Sequence, residues 1–99
     1  MGDLADLWRT HQNAPFPASC LPLSVDGLKL VKLDAAAGAL LTASLRSDGQ
    51  PRRLDDARLR DLERSRDLIL KVLRDIPLDP DGKAYFERLA ALSDYVLKG

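Results

Sequence analysis

The sequence predicts a mostly α-helical, α+β domain: four helices, a small β-hairpin in the N-terminal half, and a C-terminal antiparallel helical hairpin. Three observations predict it. Residues 55–76 and 80–97 each carry a long apolar stripe at helical spacing. Only Pro77-Leu78-Asp79 separates them, too short a link for anything but antiparallel neighbours. Asp26-Gly27 is a favoured two-residue hairpin turn, because both central positions of a type I′ turn need positive φ.

Taken in order, Asp3 can cap a first helix running to about His11. Leu4, Leu7, Trp8 and His11 recur at i, i+3, i+4 and i+7 on one face. Asn13 and Pro15 end it. Pro15-Phe16-Pro17 cannot be helical, since each proline biases its predecessor to extended geometry, so this segment reads as a surface strap anchored by Phe16. Folding at Asp26-Gly27 pairs Val25 with Leu28, Leu23 with Leu30 and Leu21 with Lys32, and Pro22 restricts its strand to an edge. The competing reading makes Leu28 to Leu45 one long helix, because Leu30, Leu33, Ala37, Leu40 and Leu41 also fit helical spacing. The turn signal favours the hairpin, with Asp34 then capping a helix to about Arg46. Small residues around Gly38 would let another element approach that helix closely. Ser47-Asp48-Gly49 and Pro51 stop it.

Asp55 is the expected N-cap of the third helix, with Leu54 packing on Leu59 as a hydrophobic staple. Asp56 with Arg60, and Asp67 with Lys71, stand at i,i+4 with the acid first. Asp79 as N-cap, followed by Pro80 at the first helical position, opens the fourth helix, whose stripe is Tyr85, Phe86, Leu89, Leu92, Val96 and Leu97.

Composition restricts function more than it reveals it. Ninety-nine residues with 45% apolar and 30% charged side chains suit one domain spanning 1–99. Fifteen basic residues balance 15 acidic ones, which argues against nucleic acid as the main partner, since such affinity comes largely from neutralised phosphates. Cys20 is alone, so no internal disulfide forms. Asp3 and Asp6 stand where a signal peptide would be basic. No apolar run approaches the ~20 residues needed to span a bilayer. The expectation is a cytoplasmic protein with no membrane contact.

No motif for catalysis, cofactor or metal is present, so the sequence reads as a non-enzyme without a cofactor. His11 is the only histidine, which excludes two-histidine metal motifs. Its plainest role is to end the Trp8 stripe, and its distance in sequence from Cys20 gives no support to a nucleophilic pair. Asp79-Pro80-Asp81-Gly82 lacks the later acidic ligand of a calcium loop. No glycine-rich phosphate loop occurs.

Two surfaces remain. On helix three, Arg66 projects inside the apolar arc between Leu59 and Leu73. It either carries its guanidinium to water, meets a carboxylate within the chain, or meets one on a partner. Leu68 and Leu70 flank Ile69 on opposite sides, widening the arc to roughly 200° against the ~100° of one-sided packing. On helix four Tyr95 projects off the stripe beside Ala91 and Arg88. Arg66, Leu70, Arg88 and Tyr95 are therefore the candidate interface of a protein–protein interaction module, with another protein or a second copy as partner. The alternative is a small regulatory nucleic-acid binder using Arg46, Arg52, Arg53, Arg58 and Arg60, whose positive charge is diluted by interleaved acids. A helix-turn-helix does not fit, because the 47–54 connection is longer than the usual ~3–4-residue turn.

The run Leu28-Lys29-Leu30-Val31-Lys32-Leu33-Asp34-Ala35, then Leu54-Asp55, then Tyr85-Phe86-Glu87-Arg88-Leu89 with Val96-Leu97, resembles a family of small uncharacterised proteins from high-GC bacteria. The likeness covers most of residues 4–97. That family has no assigned activity, so the resemblance implies no functional residues. Its members often read Asp-Ala-Asp where this chain has Asp34-Ala35-Ala36, which argues against an acidic site at Asp34.

Overall fold

The computed structural model describes residues 3–45 and 53–98. The chain forms α1 (Asp3–Asn13), a single 3₁₀ turn (Ala18–Cys20), β1 (Ser24–Val25), β2 (Leu28–Lys29), α2 (Leu30–Ser44), α3 (Asp56–Asp75) and α4 (Pro80–Lys98). It is a mostly-α, α+β fold, with α3 and α4 packed as an antiparallel pair, α2 laid against both, and α1 against α4. One continuous apolar cluster joins all of them, with Leu30, Leu33, Leu41, Leu62, Ile69, Phe86, Leu89 and Leu92 at its centre.

α1 already includes Asp3 and runs two residues past His11. Its stripe faces inward as the spacing requires, with Trp8 and His11 buried. Phe16 anchors the proline strap by presenting its ring edge-on to Tyr85 and Phe86, at centroid separations of 5.5 and 6.2 Å.

The two readings of residues 21–45 each prove partly right. Asp26 and Gly27 take φ of 51° and 81°, and the hairpin register pairs Val25 with Leu28 and Ser24 with Lys29. The ribbon goes no further. Leu30 N–H donates to Leu23 O at 2.9 Å and the chain turns directly into α2, so the expected pairing of Leu21 with Lys32 does not form. Leu21 is exposed, and neither it nor Pro22 lies in a strand. The physical reason is burial. A two-stranded ribbon is marginal by itself, whereas a helix from Leu30 satisfies its own backbone and buries Leu30, Leu33, Ala37 and Leu41 together. Asp34 is therefore not an N-cap but a residue of the second turn. Lys29 precedes the helix without a capping side chain, and the bond to Leu23 is its substitute.

Nor does Gly38 mark a close approach: a Cβ there would meet nothing within 4 Å. Ala37, fully buried, is the small residue that packing uses. Gly38→Ala should therefore stabilise the protein by up to about 1 kcal/mol, from helix propensity and a less flexible unfolded chain. A urea midpoint unchanged or lowered by the substitution would contradict this.

Asp55 caps α3 as expected, accepting from Arg58 N–H at 2.8 Å, and Leu54 and Leu59 both join the core. Its charged side chains choose partners other than those the i,i+4 spacing suggested. Lys71 reaches Asp26 in the hairpin turn at 2.8 Å, and Asp67 takes Arg66 Nε at 3.2 Å. Asp79 caps α4 through Gly82 N–H at 2.8 Å. The predicted stop at Ser47-Asp48-Gly49, and the end of the second helix at Arg46, lie outside the described residues.

Candidate functional site

The wide arc of α3 has two fates. On one side Leu68 packs into the core, while Lys71 ties α3 to the β1–β2 turn. On the other side Arg66 meets an acid of its own chain: Nη1 donates to Asp94 Oδ1 on α4 at 2.6 Å. The contact answers the question raised by an arginine inside an apolar arc, since no outside carboxylate is needed. Asp94 pushes the Arg66 pKa still higher, against a smaller opposing effect of burial.

Leu70, one helical turn beyond Arg66, receives no cover and is 44% exposed. Tyr95, next to Asp94, is 51% exposed. Arg66–Asp94 thus bridges α3 and α4, and Leu70 and Tyr95 are the large exposed side chains of these two helices. Ala91, one turn before Tyr95, is exposed on the same helix.

Arg88 is placed differently. Its guanidinium carbon lies 5.8 Å from the centre of the Tyr85 ring, on the side of α4 where α1 packs. There α1, α2 and α4 bring together side chains that lie far apart along the chain. The His11 ring is 4.6 Å from that of Tyr85 and 6.4 Å from that of Trp8. The Tyr85 hydroxyl donates to Asp34 Oδ1 at 2.8 Å. Burial lowers the His11 pKa from 6.5 to about 4, with the Arg88 charge acting in the same direction. Burial also raises the Asp34 carboxyl, an effect the Tyr85 hydroxyl partly offsets. Tyr85 itself is pushed well above the normal phenol range, by burial first and then by Asp34. At neutral pH the group therefore comprises a neutral imidazole, an intact phenol donating to the Asp34 carboxyl, and one arginine.

This arrangement contains no activated nucleophile. Cys20 packs elsewhere, its Sγ only 2.9 Å from where a Cβ on Gly82 would sit. Burial raises the thiol pKa; a Ser19 hydrogen bond opposes this and the Asp79 charge adds to it. Among the described residues no group of three or more His, Cys, Asp or Glu could hold a metal. No helix among them is long and apolar enough to cross a membrane. Of the arginine-rich segment, Arg53, Arg58 and Arg60 are exposed, with Arg58 3.6 Å from Asp55, while Arg46 and Arg52 lie outside the described residues.

Fold and surface together define a small mostly-helical protein with two large exposed side chains, Leu70 and Tyr95, on its terminal helical pair. Comparisons with protein-family models, curated proteins and solved structures find no match to the chain.

Proposed function

We propose that the protein is a non-enzymatic protein–protein interaction module, and that the outer face of α3 and α4 receives a second copy of the same chain. The observation that carries this reading is the exposure of Leu70 and Tyr95 on the two helices that the Arg66–Asp94 pair joins. Large apolar and aromatic side chains with little charge between them are what interface centres are made of. Here Arg66 is held by Asp94 and Asp67 of its own chain, so bringing another apolar face against it leaves no unpaired cation. A chain of zero net charge also carries little long-range repulsion against its own copy.

Light scattering at high micromolar concentration should give a mass above 10.9 kDa that falls to the monomer on dilution. Leu70→Glu combined with Tyr95→Glu should hold the protein monomeric with its helical circular dichroism intact. A wild type that is monomeric throughout this range, or a double variant that associates as well as wild type, would overturn the proposal. The arginine-rich segment is the weaker reading, since Asp55 engages Arg58 and acids alternate with the other basic residues.

A further inference from the structure

The seam between α1 and α4 holds the three buried side-chain polar atoms without a hydrogen-bond partner among the described residues: Trp8 Nε1, His11 Nδ1 and Arg88 Nε. Trp8 is 5% and His11 6% exposed, so neither can simply turn to water. Leaving a buried donor unmatched is costly, and here the cost is concentrated in one place. The three residues are linked by a chain of contacts: Trp8 against His11, His11 against Tyr85, and Arg88 against Tyr85. Two of the atoms are N–H donors in every protonation state, and His11 becomes a third donor in its Nδ1–H tautomer. No carboxylate among the described residues pairs with Arg88. The nearby acid, Asp34, accepts from the Tyr85 hydroxyl rather than from Arg88.

We infer that this seam binds a small oxyanion, a carboxylate or phosphate group, held by Arg88 Nε, Trp8 Nε1 and the His11 imidazole. Three unmatched nitrogens, one of them on an arginine without an ion-pair partner, beside aromatic rings suit an anion's oxygens. Arg88 is only half-buried, so its guanidinium also provides the approach from solvent. The site is independent of the proposed α3–α4 interface, and its test does not depend on self-association.

The chain holds one tryptophan and one histidine, so the indole N–H and imidazole signals of the intact protein assign themselves. Titration with sodium phosphate, and separately with sodium acetate, at constant ionic strength should shift the Trp8 indole N–H resonance along a saturating curve. The tighter arm distinguishes a phosphate from a carboxylate ligand. Arg88→Gln should weaken binding at least tenfold. Arg88→Lys, which keeps the charge without the Nε–H, should weaken it less, and Arg53→Gln should leave it unchanged. A response linear in concentration, matched by sodium chloride, or retained in both Arg88 variants would overturn the inference.

Discussion

Lowering the pH from 7.5 to 4.5 should remove roughly 2–3 kcal/mol of stability through His11 alone, on the order of 10–20 °C in Tm for a domain of this size. The imidazole titrates at about 4 in the folded protein against 6.5 when free. Between those values the unfolded chain is protonated at His11 and the folded one is not, so acid favours unfolding. The contribution is complete above pH 6.5, declines as pH falls towards 4, and is flat below. Charged and titratable neighbours act in known directions. Arg88 opposes the imidazolium, Tyr85 stays protonated throughout, and the raised pKa of Asp34 gives back a part of the loss on the acid side. His11→Phe keeps an aromatic ring against Tyr85 and removes the titration, so its stability should be nearly level over this window. The comparison belongs in chloride without phosphate or carboxylate buffers, which would load the seam. Parallel pH profiles for wild type and His11→Phe, or a His11 resonance titrating near 6.5, would refute it.

Gly82→Ala should destabilise by about 1–2 kcal/mol, the reverse of what helix propensity implies for a glycine in the first turn of α4. The new Cβ would stand 2.9 Å from Cys20 Sγ and 3.0 Å from Asp79 Oδ1. The first neighbour is fully buried and has nowhere to go. The second is the oxygen that accepts Gly82 N–H and caps the helix, so moving it loosens the cap. Cys20→Ala in the same chain removes the sulfur, and the double variant should recover about 1 kcal/mol relative to the sum of the single changes. Additive urea midpoints, or a Gly82→Ala protein more stable than wild type, would show that the contact is not tight. Gly38→Ala is the matched control: the same substitution, in open space, with the opposite sign.

What could be read from the residues was the part governed by near neighbours. The caps at Asp55 and Asp79 act over three residues, and the Asp26-Gly27 turn over two. The start of α2 was misplaced because its real boundary carries no cap. Lys29 supplies no capping side chain, while Asp34 offers a carboxylate that looks like one. For the candidate sites, Leu70 and Tyr95 were legible because each departs from the stripe of its own helix. Arg88 was assigned to the same surface because its helical angle is close to that of Tyr95. The two stand two turns apart on α4, and nothing in the angle says that the Tyr85 ring takes Arg88 while Tyr95 stays exposed. The lone His11 on an apolar stripe was the available hint of the α1–α4 seam, and burial alone accounted for it.

The sequence by itself determined the terminal helical pair, the hairpin turn and the apolar stripes, since these follow from φ preferences, capping bonds and a period of ~3.6 residues within a few positions of chain. Only the tertiary structure decided what the charged and polar side chains do. Tyr85 reaches Asp34 across 51 residues, Lys71 reaches Asp26 across 45, and Arg66 reaches Asp94 across 28. At each position a local partner or plain solvation was equally compatible with the sequence. The choice was made by how the apolar stripes dock, because burying them fixes which helix faces meet, and long polar side chains then bond to whatever acid that docking brings within reach.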